Sequence, residues 1–127
     1  MKRIVALLMI TLILVGALVS CGTIPSDPAD LKAELEEMGA DVKISYEKSK
    51  FKYYAEKAGV SVDNIKCLVS CELGDEGNFI FCMDSDTADR AEEYFSLQYA
   101  DKEDIVVARE GKVVYAGSKV CWELYNN

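Results

Sequence analysis

The sequence predicts an α+β domain: an antiparallel sheet with helices on one face, in the split β-α-β order of ferredoxin-like folds, preceded by an extra N-terminal helix. Three observations carry this expectation. Short apolar-polar alternations mark strands, apolar stripes at helical spacing mark helices, and glycines stand at the joints between them. From Asp41 onward the segments run strand, helix, strand, strand, helix, strand, with one further strand and a short helix at the end.

Asp27-Pro28 opens the first helix, with Asp27 as N-cap and Pro28 at the first helical position. Leu31, Leu35 and Met38 form its apolar stripe, and Gly39 stops it. Val42, Ile44 and Tyr46 alternate with Lys43 and Ser45, which reads as a strand with one buried face. Phe51, Tyr54, Ala55 and Ala58 mark a second amphipathic helix, ended at Gly59. Residues 65–73 and 78–83 read as strands joined by the turn Gly74-Asp75-Glu76-Gly77. Asp84-Ser85-Asp86 caps a third helix, whose inner face is Ala88, Ala91, Phe95 and Tyr99. Residues 105–109 and 112–116 form a last hairpin around Glu110-Gly111, and Ser118 caps a terminal helix carrying Val120, Cys121 and Leu124.

The N-terminus has a different character. Met1-Lys2-Arg3 is a basic start, and residues 4–19 form a nearly continuous apolar run. That run is short for a transmembrane helix, which needs roughly 20 apolar residues, and no basic stop follows it. The run ends in Leu18-Val19-Ser20-Cys21. This segment resembles the lipobox of bacterial lipoproteins: an aliphatic residue, a tolerated Val, a small residue, then Cys. The resemblance implies a lipoprotein signal peptide over residues 1–20, diacylglycerol on the Cys21 sulfur, and cleavage before Cys21. Residues 21–27 are then a lipidated N-terminus with a short tether, and residues 28–127 a single domain. The expected location is the cell membrane, lipid-anchored and facing outside the cytoplasm, with membrane lipid as a partner through acylated Cys21. Two or three acyl chains give stable anchoring where one would not. The stretch from Gly111 to Gly117, Gly-Lys-Val-Val-Tyr-Ala-Gly, is similar to a strand and turn of small Firmicute-type lipoproteins, themselves mostly uncharacterised.

Charge narrows the partners. The 127 residues carry a formal net charge of −8, and removal of Lys2 and Arg3 with the signal peptide takes it to −10. A chain this acidic has no clustered cations for phosphate, so nucleic acid is not an expected partner. The chain contains no histidine. That absence removes Ser-His-Asp and Cys-His catalysis and every His-containing metal site. No Gly-rich phosphate loop or nucleophile elbow appears, so no cofactor is expected.

Cys67, Cys71, Cys82 and Cys121 remain once Cys21 is assigned to lipid. An even count in an exported domain suggests disulfides. Cys67 and Cys71 on one strand would lie about 13 Å apart at about 3.3 Å per residue. A bridge needs Cα atoms within about 7 Å, so that pair is excluded. Two pairings survive: Cys71–Cys82 with Cys67–Cys121, or Cys67–Cys82 with Cys71–Cys121. The hairpin slightly favours the first. The alternatives are four buried thiols acting as small hydrophobes, or functional thiols in a redox pair or metal site. Cys121 lies three residues after the Ser118 cap, where a helix N-terminus stabilises thiolate. No C-x-x-C and no zinc-ribbon spacing is present.

Two other clusters have plain structural readings. Asp84-Ser85-Asp86 with Asp89 superficially resembles a calcium loop but lacks its central Gly and terminal Glu; acids at a helix start cap it instead. Lys48, Lys50, Lys52 and Lys57 surround Phe51, Tyr53 and Tyr54, the basic-aromatic cluster of an acidic chain, and read as a solvated helix face with an aromatic core side. The function expected from these features is a non-enzymatic binding or interaction module at the cell surface, with an unknown protein or small-molecule partner. The alternative is a thiol-based redox or metal-handling lipoprotein using Cys67, Cys71, Cys82 and Cys121.

Overall fold

The computed structural model describes residues 24–127. Residues 1–20 and Cys21, to which the signal peptide and lipid attachment are assigned, lie outside the described residues. The elements are α1 (Pro28–Glu37), β1 (Asp41–Ser45), α2 (Lys48–Ala58), a one-turn 3-10 helix (Val62–Asn64), β2 (Ile65–Leu73), β3 (Asp75–Cys82), α3 (Ser85–Gln98), β4 (Ile105–Glu110), β5 (Val113–Ser118) and α4 (Lys119–Tyr125). The five strands form one antiparallel sheet in the order β1-β2-β3-β5-β4. The expected α+β class and antiparallel sheet are present. Within the sheet β1 pairs directly with β2, where a split β-α-β unit leaves room for a strand between them.

Local chemistry sets the helix ends. The Asp27, Asp84 and Ser118 side chains accept from the backbone N–H groups of Ala29, Thr87 and Val120. Each satisfies a donor left open in a first helical turn. At the other end, Gly39 at φ 93 lets Ala40 N–H reach Leu35 O and Gly39 N–H reach Glu36 O. Gly59 closes α2 in the same way, onto Ala55 and Glu56. Both are Schellman closures, which need a left-handed residue.

Two features correct the sequence reading. The expected four-residue turn at Gly74 to Gly77 contracts to Gly74 alone, so Leu73 pairs with Asp75 and β3 starts three residues early. The helices also do not share one face. α1 and α4 cover one side of the sheet, against Cys67, Val69, Phe79 and Tyr115; α2 and α3 cover the other, against Ile65, Ile80, Val114 and Ala116. The cause is burial on successive strand residues. Phe79, Ile80, Phe81 and Cys82 are all buried, as are Val113, Val114, Tyr115 and Ala116. Strands that alternate toward two apolar sides have no solvent face to offer. A register shift between Ile65 and Cys67 lets these two residues, both buried, enter opposite cores. Each fully buried side chain of this size contributes about 1.5–3 kcal/mol.

The α1/α4 side is tightly filled. Cys71, Gly77 and Gly117 stand opposite one another on three adjacent strands. A Cβ at Gly77 would lie 2.6 Å from Cys121 Sγ and 2.8 Å from the Tyr115 ring. A Cβ at Gly117 would lie 2.9 Å from the Tyr115 hydroxyl. The two glycines therefore make the space in which Tyr115 lies. Its hydroxyl donates to Ser118 O at 2.7 Å, and its ring meets Trp122 at 4.7 Å and Phe79 at 4.9 Å. Across the top, Tyr125 donates to Glu34 Oε1 at 2.7 Å and joins α4 to α1. On the other side, Arg109 of β4 bonds Asp89 of α3. Replacing Gly77 by Ala should overpack this side and destabilise the domain by roughly 2–3 kcal/mol. Urea unfolding midpoints measure it, and an unchanged midpoint would show that the α4 contact yields at no cost.

Candidate functional site

The sheet separates the four cysteines. Cys67 and Cys71 of β2 and Cys121 of α4 lie on the α1/α4 side, and Cys82 lies on the α2/α3 side. All four are buried free thiols. Both expected pairings bridged Cys82 to a β2 cysteine, and this structure overturns both. The reason is register. Val69 faces Phe79, and Cys67 faces Phe81, so Cys82 points away from them. The one-residue turn shifts β3 by an odd number relative to the expected hairpin, and an odd shift moves every side chain to the other face.

One cysteine contact remains. Cys71 Sγ and Cys121 Sγ are 3.7 Å apart, deep under α4. Cys121 also sits in the first turn of α4, with its N–H directed at Ser118 Oγ. The Cys71 thiol beside it holds the Cys121 thiol below the ordinary range, against the opposing effect of burial, with Tyr115 and the Leu73 backbone assisting. Cys71 is correspondingly pushed up, by that same hydrogen bond and by burial. Burial raises Cys67 and Cys82 from 9.0 to about 11. Among the described residues, no three His, Cys, Asp or Glu side chains converge as metal ligands.

The acidic cluster at α3 is a capping arrangement. Asp84 accepts from Thr87 N–H at 2.8 Å, which holds its carboxyl below the usual range, and Asp89 pairs with Arg109. The lysines of α2 are on the surface: Lys48 pairs with Asp63 at 3.3 Å, and Lys57 lies 5.5 Å over the Tyr53 ring.

A feature the sequence reading did not single out lies on the α2/α3 side. A cavity of about 320 Å³ opens between the two helices and the sheet. Phe51, Tyr54, Ala55 and Ala58 line it from α2, Ala91, Phe95 and Tyr99 from α3 and its cap, and Ile65, Leu68, Ile80 and Ala116 from the sheet. The Phe95 and Tyr99 rings stack at 6.2 Å with planes 3° apart, and Tyr54 meets Phe95 at 6.0 Å. Its polar groups are few: the Tyr54 and Tyr99 hydroxyls, Lys50, and Asn78, whose Oδ1 accepts from Ser70 Oγ at 3.0 Å. Burial, with Tyr54 and Tyr94 nearby, raises the Tyr99 phenol. A groove containing Asp75, Glu76 and Asp104 adjoins the cavity and shares Asn78, Tyr99 and Ala116 with it. The wall residues were legible as inner helix faces. Four alanines facing one another from α2, α3 and β5 were the sign of missing volume.

The segment expected to be a tether is partly built into the domain. Ile24 is buried against the α1/α4 core, and its N–H donates to Glu110 Oε1 at 2.7 Å. No described helix is long and apolar enough to cross a membrane. No family model matches this chain, and no curated protein or solved structure matches it.

The two isolated thiols give the domain an alkaline limit. Below pH 9 they are protonated in folded and unfolded chains alike. Between pH 9 and about 11 the unfolded chain ionises while folded Cys67 and Cys82 keep their protons. Stability contributed by burial of the neutral thiols is therefore lost as pH rises through that window. Urea midpoints across it should fall less steeply in Cys67→Ala than in the parent; parallel slopes would remove Cys67 from the account.

Proposed function

We propose that this chain is a membrane-anchored exported lipoprotein whose domain is a non-enzymatic binding module, with the cavity between α2 and α3 as its ligand site. The observation that carries the binding role is that cavity. Its volume is at the lower end of small-molecule sites, its walls are aliphatic and aromatic, and its polar groups are few, Asn78 and Tyr99 being shared with the adjoining acidic groove. These features suit a small, largely apolar molecule with one hydrogen-bonding end directed toward Tyr54, Tyr99 and Asn78. An apolar lining of this kind binds by excluding water, and the few polar groups orient what enters.

The anchor rests on the lipobox-like Leu18-Val19-Ser20-Cys21. Cys21 is three residues from Ile24, a reach of about 10 Å. With Ile24 bound to Glu110, an acylated Cys21 would hold the domain against the bilayer by the end of the sheet that carries Lys66, Met83 and Lys112. Asp75 and Glu76 then lie at the opposite end of the sheet, away from anionic headgroups.

The thiol reading keeps one supporting observation, the contact between Cys71 and Cys121. Cys67 and Cys82 stand apart from each other across the sheet.

Two experiments test the proposal. Mass measurement of the chain purified from its own membrane should give a species starting at acylated Cys21, and Cys21→Ala should leave the membrane-attached mature form absent. An unlipidated wild-type chain would defeat the anchor. Separately, Ala58 is only half-buried, so Ala58→Phe can place its ring in the cavity without recasting the core. Affinity for an environment-sensitive apolar fluorophore should drop at least about tenfold, the loss expected when the contact volume is taken by protein. Equal affinity in the two proteins would place fluorophore binding elsewhere.

A further inference from the structure

We propose that Cys71 and Cys121 are the site of a single oxidative cross-link that fastens α4 to β2, with Cys67 and Cys82 remaining thiols. The inference stands on geometry and is independent of the cavity and its ligand. The two sulfurs are already in contact at 3.7 Å, and both are buried in one core. A disulfide bond is about 2.05 Å long, so closure requires an approach of about 1.7 Å, within the range of side-chain rotation. Gly77 faces Cys71 across the ladder, and a Cβ there would lie 2.6 Å from Cys121 Sγ, so the missing methyl is what lets the Cys121 sulfur come up beside Cys71. No competing bridge is available to Cys82, which the sheet separates from the other three.

The chemistry is thiol–disulfide exchange with a small or protein disulfide as oxidant. α4 has seven residues, and its local opening exposes Cys121 while Cys71 stays in a strand paired on both sides. The Cys121 thiolate attacks one sulfur of the oxidant, forming a mixed disulfide and expelling one thiolate. While α4 is still open, Cys71 loses its proton to solvent and attacks the Cys121 sulfur, expelling the second thiolate, and α4 docks again on the completed link. In sum the protein gives up two protons and two electrons, and the oxidant disulfide becomes two thiols. The depressed Cys121 thiol and the raised Cys71 thiol agree with Cys121 as the first nucleophile.

The test uses the full chain purified in detergent, equilibrated with glutathione disulfide, then denatured and alkylated without reductant. Two of the four domain thiols should be protected, and a peptide map should link Cys71 to Cys121. The thermal midpoint should rise by roughly 10 °C over the dithiothreitol-treated chain, because the link closes a loop of fifty residues. The Cys67→Ala/Cys82→Ala chain should keep both the link and the rise, and Cys121→Ala should lose both. Four alkylated thiols after oxidation, or a link through Cys67 or Cys82, overturns the proposal. Those readings come from the wild-type chain, so a variant that fails to fold does not decide them.

Discussion

The structure depends on one constraint: its central strands are apolar on both faces. β3 and β5 bury four successive residues each, so neither side of the sheet can be left to water. A single layer of helices would leave Phe79, Phe81, Val113 and Tyr115, or else Ile80, Val114 and Ala116, exposed. The chain meets this with two pairs of helices drawn from different parts of the sequence. α1 and α4, from opposite ends of the domain, converge on one face, and α2 and α3 cover the other. Polar links such as Tyr125 to Glu34, between the two helices of one face, and Arg109 to Asp89, between sheet and helix, lie at the edges of the cores. One part-buried hydrogen bond and one ion pair contribute little beside two apolar cores, so burial carries the assembly.

That constraint also decides what the cysteines can do. A sheet covered on both sides is a partition, since successive side chains of a strand point to opposite faces. Residues of opposite parity on β3 enter different cores, and Cys82 goes with Ile80 while Phe81 goes with Cys67. Four cysteines that invite two bridges by count thus become one close pair and two isolated thiols. Gly74 is the cause. At φ 74 it reverses the chain within one residue and sets the parity of all of β3.

Much of this was legible locally and little of it at long range. Asp27, Asp84 and Ser118 each cap the helix they were expected to cap, and Gly39 and Gly59 end the helices they follow. Such features involve neighbours within about five residues, so the sequence states them almost directly. The hairpin was recognisable but not its register, because Gly74-Asp75-Glu76-Gly77 admits several turns that differ in parity. The second helical layer was hidden for a related reason. Runs such as Phe79-Ile80-Phe81-Cys82 are consistent with strands, yet a run alone does not say that both sides find a partner. The burial of Ile24 was unreadable, since its contact with Glu110 joins residues 86 apart.

The contrast between the two faces bears on function. On the α1/α4 side a single added methyl at Gly77 would collide with Cys121 and Tyr115. On the α2/α3 side Ala55, Ala58, Ala91 and Ala116 leave about 320 Å³ between walls of Phe51, Phe95, Ile65 and Ile80. A closed void of that volume would cost about 8 kcal/mol at roughly 24 cal/mol per Å³, comparable to the whole stability of a small domain. Access to solvent lowers that cost, and so does any molecule that fills the space. One face is thus closely packed around Gly77 while the other keeps room beside stacked aromatic rings. Under the binding proposal this division leaves ligand contact to the face that does not hold α4.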